Sequence, residues 1–296
     1  MKKTLEKGGI AMGTLKKVYL EITNVCNLDC SFCPGTRRTP GFLSPEQFRL
    51  LAEKLVPHTK YLYLHLMGEP LLHPQLGELL AIAGELDLRV MITTNGTLLP
   101  RAGKTLLASP AVHKVSVSLH SFEGNAAEGP LLPYLDDCAS FAKEAAEAGK
   151  RCALRLWNLD GENTQGANSQ NPLILARLAE HFPQPWTENR LGFTLADRVY
   201  LEWGERFEWP DLGAQDQGQA GFCYGLRDHV GVLWDGTVVP CCLDSEGVIA
   251  LGNVFQQELS EILASPRAKA ITEGFRRRKA AEELCRRCGY ATRFTK

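Results

Sequence analysis

Five strand-length segments, each followed by a helical pattern, fill the first two thirds of the chain. They are Val18 to Thr23, Tyr61 to Met67, Arg89 to Thr94, Lys114 to His120 and Cys152 to Trp157, with a weaker sixth around Phe193 to Leu201. After the first strand Ser44 caps a helix, Pro45 takes its first position and Gln47 closes a capping box. Phe48, Leu51, Ala52, Leu55 and Val56 follow at helical spacing. Leu76, Leu79, Leu80 and Ala83 mark a second helix, and a third runs from about Tyr134 to Ala148, ended by Gly149. Such repetition builds a parallel sheet covered by helices, either a barrel or a doubly wound sheet. The two-residue period of the strands chooses between them. Val115, Val117 and Leu119 share one face, while Ser116, Ser118 and His120 share the other. Likewise Val18, Leu20 and Ile22 oppose Tyr19, Glu21 and Thr23, and Leu62, Leu64 and Leu66 oppose Tyr61, Tyr63, His65 and Met67. A doubly wound sheet buries both faces and reads as continuous apolar runs. The pattern therefore predicts an α/β fold, a partial (β/α)6 TIM-like barrel, with Tyr19, Glu21, Tyr61, Tyr63, His65, His120 and Trp157 facing a polar lumen.

After Trp157 the character changes. Asn158 to Asn171 is polar and rich in Gly and Asn, which suits a loop or a lid. A second irregular stretch, Trp203 to Gly221, marks a boundary that divides the chain into 1–205 and 206–296. The C-terminal part holds a hairpin signal, Val230 to Trp234 and Thr237 to Val239 around Asp235-Gly236, then a helix from about Leu259 to Arg278. With 33 basic against 34 acidic residues, no global electrostatic partner is implied, which argues against a nucleic-acid role. The run Arg276 to Lys279, with Arg286 and Arg287, reads as a solvated helix face. No apolar stretch approaches the ~20 residues of a membrane span. Glu6 and the glycines at the N-terminus stand where a signal peptide needs an apolar segment, so the expected location is cytoplasmic.

In a reducing compartment closely spaced cysteines are ligands or catalytic groups rather than a disulfide framework. Cys26, Cys30 and Cys33 directly follow the first strand, at the carboxyl end of the sheet where barrel enzymes place chemistry. Three thiolates hold three corners of a 4Fe-4S cluster and leave one iron open; the alternative is zinc held with a nearby histidine. Cys223, Cys241, Cys242, Cys285 and Cys288 form a further group near the end of the chain. Cys138 shares a helix face with Leu135, Ala142 and Ala145, and Cys152 has the opposite strand parity to Arg155, so both read as core residues.

The Cys26-x3-Cys30-x2-Cys33 motif, with Phe32 before the last cysteine, resembles the radical S-adenosylmethionine (SAM) superfamily. So do Met67-Gly68-Glu69-Pro70, which departs from the family's GGEP only at the first glycine, Thr93-Thr94-Asn95-Gly96, Ser116 to His120, and Arg155. The resemblance implies that SAM chelates the open iron through its methionyl amine and carboxylate. Its amine would bind Glu69 beside Gly68, its carboxylate Ser118 and Arg155, its ribose region Thr93 and Asn95, and its adenine Phe32. Reductive cleavage would then give a 5′-deoxyadenosyl radical that abstracts hydrogen from substrate. The C-terminal segment resembles the Twitch domain, a shortened SPASM extension, in Asp235 to Cys241 and Gly252-Asn253-Val254, which implies one auxiliary, fully ligated 4Fe-4S cluster on Cys223, Cys241, Cys285 and Cys288; the alternative is a structural zinc on the same four. Cys242 is left over beside a ligand: it is inert, exchanges with Cys241, or donates hydrogen as a thiol.

These motifs locate a radical without naming its target. The expected substrate is a polar small molecule or a peptide, and the expected electron source an external flavodoxin- or ferredoxin-like donor. His65 and His120 are candidate bases and Cys242 a candidate hydrogen donor. Three reactions compete: C–H oxidation with the auxiliary cluster accepting an electron, peptide or protein modification such as thioether formation, and epimerisation. A non-enzymatic metal-binding module is the remaining alternative. Only about sixteen residues precede Lys17, which weakens a role as a peptide maturase with its own leader-binding domain.

Overall fold

The computed structural model describes residues 15–125, 130–161, 166 and 168–294. Strands β1 (Lys17–Leu20), β2 (Tyr61–Tyr63), β3 (Arg89–Thr94), β4 (Val112–Ser118) and β5 (Arg151–Leu159) lie side by side, all parallel. Then come β6 (Thr187–Asn189), β7 (Gly192–Ala196) and β8 (Val199–Glu205). Of these only β8 continues the parallel arc, against β5, while β7 and β6 add antiparallel at its edge. The sixth strand expected over Phe193 to Leu201 thus straddles a turn. Arg198, at a φ of 59°, reverses the chain between β7 and β8, a conformation that period-two patterning does not register.

Helices α1 (Pro45–Leu55), α2 (Leu76–Glu85), α3 (Leu99–Ala108), α4 (Ser121–Gly124), α5 (Leu131–Glu147) and α6 (Asn171–His181) join these strands. The capping box of α1 forms: Ser44 Oγ accepts from the Gln47 N–H at 3.2 Å and Gln47 Oε1 from the Ser44 N–H at 2.9 Å. Such a cap is worth about 1 kcal/mol. Phe48, Leu51, Ala52 and Leu55 are fully buried on its inner face. Val115, Val117 and Leu119 are equally buried in the layer that holds Leu135, Cys138 and Ala142 of α5, each such Val or Leu contributing about 1.5–3 kcal/mol. Cys138 and Cys152 sit in this core, as their parity requires.

The C-terminal strands β9 (His229–Val232), β10 (Thr237–Val239) and β11 (Gly252–Asn253) extend the same sheet rather than forming their own. β9 pairs parallel with β1, setting Lys17 opposite His229 and Tyr19 opposite Gly231. The hairpin between β9 and β10 turns at Gly236, with φ at 85°. The single helix expected over Leu259 to Arg278 is two, α7 (Leu259–Leu263) and α8 (Pro266–Arg276), because Pro266 starts a new helix capped by Ser265. A short α9 (Glu283–Arg286) follows. The basic run finds partners within the protein: Arg277 with Glu273 at 2.7 Å, Arg286 with Asp216 at 3.0 Å, Arg287 with Glu283 at 2.9 Å, and Arg278 over the Phe222 ring. No helix among the described residues is long and apolar enough to cross a membrane. The expected lid over Asn158 to Asn171 includes residues 162–165 and 167, which lie outside the described ones.

Candidate active site

The loop after β1 carries Cys26, Cys30 and Cys33 at the carboxyl end of the sheet. Cys33 N–H donates to the Cys30 carbonyl at 2.9 Å, a tight turn that brings both thiols to one side. From α4 and the residue after it, Asn125 Nδ2 donates to Cys30 Sγ at 3.0 Å and Asn125 Oδ1 accepts from the Asp29 N–H at 2.8 Å. Ser31 N–H donates to the Gly124 carbonyl at 2.7 Å, and a Cβ on Gly124 would stand 2.4 Å from the Phe32 ring, so only glycine lets that ring seat. The three thiols are close enough to feel one another's charge, and burial pushes each of them up. An N–H donor on a sulfur, as Asn125 provides to Cys30, is a contact that tunes iron–sulfur clusters.

Behind this loop stands Glu69, 2% exposed. Its Oε1 accepts from the Leu71 N–H at 3.0 Å and the Thr94 hydroxyl at 2.7 Å, and its Oε2 from the Asn95 N–H at 2.7 Å. Three of roughly four acceptor positions are therefore occupied by the chain itself. Burial nonetheless raises its pKa, and its charge is felt at Cys26. Gly68 makes this placement possible: its φ is 76°, and a Cβ there would lie 2.5 Å from the Thr23 carbonyl oxygen. We expect Gly68→Ala to cost on the order of 3 kcal/mol, from left-handed strain plus a backbone clash, seen as a lower denaturant midpoint with an unchanged m-value.

A cavity of about 1020 Å³ opens from the barrel lumen. Phe32, Thr93, Ser118 and Arg155 line it, as do His65, His120, Tyr19, Tyr63 and Trp157. Strand register explains the row: Ser118 lies opposite Arg155, and Arg155 opposite Glu202. Arg155 Nε pairs with Glu202 at 3.1 Å, which also holds Lys114, and the guanidinium lies 4.8 Å over the Trp157 ring. All of Cys223, Cys241, Cys242, Cys285 and Cys288 line the same cavity. Cys241 feels the other four, so segments separated by tens of residues converge at the mouth of the lumen.

Several expected residues do something else. Glu21 does not line the cavity: fully buried, it pairs with Arg38 at 2.7 Å and accepts from the backbone N–H groups of Met67 and Trp234. Tyr61 lies at the far end of its strand beside Arg89 and His113. Asn95 is likewise absent from the lining; its amide donates to Asn27 at 3.0 Å and its oxygen accepts from Thr97, so the side chain shapes the loop rather than facing a ribose. Leu66, expected among the helices, lines the cavity because β2 ends at Tyr63 and its alternation stops there. His65 and His120 are weak bases, burial and the nearby Arg155 holding them down to about 3 and about 4. His120 Nδ1 lies 3.2 Å from the Arg155 carbonyl, which can only accept, and its ring packs on Phe32.

The sequence reading missed Lys17, His229, Trp209 and Tyr290, which also line the cavity. Lys17 was detectable, since it shares strand parity with Tyr19. The others arrive through long-range pairing that no local pattern reveals.

A partial barrel with an open three-cysteine loop above a lumen, and a second cysteine set beside it, defines an iron–sulfur enzyme. The chain belongs to the radical SAM superfamily: that family's pattern matches residues 20–166, and the SPASM iron-sulfur cluster-binding domain matches residues 223–289. It therefore uses SAM with a 4Fe-4S cluster, and its C-terminal part carries additional iron–sulfur ligation. The AdoMet-dependent heme synthase of Oleidesulfovibrio alaskensis is 29% identical over 122 residues, 40% of this chain and 31% of that protein. A probable GTP 3′,8-cyclase of Aeropyrum pernix is 31% identical over 160 residues, 50% of this chain and 44% of that one. The chain thus spans less than half the length of these curated relatives. Among solved structures, BtrN in complex with AdoMet and 2-DOIA superposes with a TM-score of 0.59 at 20% identity, covering 94% of both chains. Streptococcus suis SuiB bound to SAM gives 0.60 at 16%, covering 96% of this chain and 75% of that one. At such identities the likeness is one of fold.

Proposed function

We propose that the protein oxidises a C–H bond of a polar substrate held in the lumen. The supporting observation is the single cavity shared by the lumen side chains Ser118, Arg155 and His65 and by the whole second cysteine set. When bound, SAM and a first cluster reduced by an external one-electron donor would supply hydrogen-atom abstraction, and a second cluster would supply an acceptor for the electron left on the substrate. This chain's own residues position the reactants. Cys26, Cys30 and Cys33 hold the first cluster, and Cys223, Cys241, Cys285 and Cys288 the second. Ser118 and Arg155 hold the SAM carboxylate, Thr93 the ribose region, Phe32 the adenine, and Glu69 the amine through its last free acceptor position. The division into 1–205 and 206–296 follows the same logic, since β8 ends at Glu205.

Cys242 favours a second reading, epimerisation. It lines the cavity and packs against the cluster that holds Tyr19, Leu66 and Met67. The two readings separate cleanly. Under oxidation, Cys242→Ala retains at least about a third of wild-type turnover, and mass spectrometry finds a product two mass units lighter than substrate. Under epimerisation that variant still forms 5′-deoxyadenosine but no inverted product, and the wild-type product made in heavy water carries one deuterium at the abstracted carbon. The latter outcome sinks the oxidation reading.

A further inference from the structure

Lys17 opens β1 and projects into the cavity. Its Nζ lies 4.8 Å from the Tyr19 ring centre and 4.7 Å from that of Tyr63. Among the described residues no carboxylate stands within ion-pair distance of it. Asp228 is engaged by Lys16 and Arg227, each at 2.8 Å, and Glu202 by Lys114 and Arg155. A partly buried ammonium with ring faces and the Cys242 thiol, but no carboxylate of its own, is an open electrostatic demand, because cation–π contact replaces lost hydration only in part.

The neighbours add to that demand. Arg155 has no acceptor, so Thr93 Oγ1, 3.4 Å from its Nη1, accepts from it. The same Thr93 Oγ1 lies 3.3 Å from His65 Nε2. With Nε2 engaged there, His65 Nδ1 has no partner in the protein. The ammonium donates and cannot accept, and His65 Nδ1 joins it as a donor in the Nδ1–H tautomer. Burial, then Arg155 and Lys17, keep His65 neutral.

We propose that Lys17, with His65 in its Nδ1–H form, forms an anion subsite in the lumen that holds a carboxylate or phosphate of the substrate. This subsite is separate from Ser118 and the SAM carboxylate, and it rests on the reading of the lumen as the substrate chamber. It narrows the substrate class from polar to anionic. It also orients the substrate, since an anion fixed at the start of β1 leaves the rest of the molecule to extend toward the carboxyl ends of the strands, where SAM binds.

The test uses reconstituted, SAM-loaded holoenzyme titrated calorimetrically with benzoate, phenyl phosphate and the neutral isostere benzamide. Benzoate or phenyl phosphate is expected to bind at least about tenfold more tightly than benzamide, and the tighter of the two anions identifies carboxylate or phosphate as the natural group. Lys17→Met should erase the preference and Lys17→Arg restore most of it, both at wild-type iron content and SAM affinity. Equal binding of benzamide overturns the proposal. So does a Lys17→Met protein that keeps the preference, or one that loses nothing but shifts the midpoint potential of the second cluster, which would make the ammonium a partner of that cluster. If the wild-type holoenzyme fails to bind SAM, the fault lies instead with the functional reading beneath it.

Discussion

Replacing Cys26, Cys30 and Cys33 together by alanine is expected to lower iron from about eight to about four atoms per chain after anaerobic reconstitution, and to abolish 5′-deoxyadenosine formation. The fold should survive, because none of the three thiols packs in the main apolar core, Cys26 is exposed, and only Cys33 touches the smaller cluster of Tyr19, Leu66 and Met67. The second set should behave differently. Cys223 and Cys285 pack against the main core, and the small C-terminal segment relies on ligation to draw three distant stretches together. Alanine at Cys223, Cys241, Cys285 and Cys288 should therefore lower the unfolding midpoint as well as the iron. Burial also pushes these thiols up, Cys288 to about 11, so iron must displace their protons on binding and loading should fall off in acid. Iron unchanged in the first variant, or zinc with little sulfide in either protein, would remove the two-cluster assignment.

Much of the barrel was legible because each strand alternates. The β4 pattern separates Val115 and Val117 from Ser118 correctly, and Arg155 and Cys152 fall on opposite faces as parity demands. Alternation misleads where a strand is short or turns. Leu66 and Met67 follow Tyr63, where β2 has ended, and the stretch over Phe193 to Leu201 hides a left-handed residue at Arg198. Capping was readable at Ser44, yet the same chemistry at Ser265-Pro266 was overlooked, which is why one helix was expected where two occur. The cysteine loop was plain from spacing, but its support was not. Asn125 and Gly124 act from nearly a hundred residues away, through a hydrogen bond to sulfur and a missing Cβ. Buried polar side chains were the least legible class. Glu21 and Asn95 look like lumen residues by parity and motif, but each is claimed by neighbours that only the folded chain supplies.

Glu69 divides structural from binding roles most sharply, and two substitutions are needed to read it. Alanine leaves three donors, the Leu71 and Asn95 N–H groups and the Thr94 hydroxyl, without their acceptor in a buried site. Each such loss costs about 1–3 kcal/mol, less where the hydroxyl rotates or a water enters, so Glu69→Ala should be clearly destabilised before SAM is added. Glutamine keeps one oxygen and fills the space, so its stability should fall between those of alanine and wild type. Affinity should rank differently. A carboxylate that meets the positive methionyl amine contributes a charge-assisted bond worth about 1.5–3 kcal/mol, and both variants lose it. SAM should therefore bind about 10- to 100-fold more weakly to Glu69→Gln and to Glu69→Ala alike, measured by equilibrium binding on samples matched for iron. If Glu69→Gln with full iron binds SAM as tightly as wild type, the carboxylate serves only to hold Leu71, Thr94 and Asn95 in place, and the amine must be bound by another group on the cysteine loop.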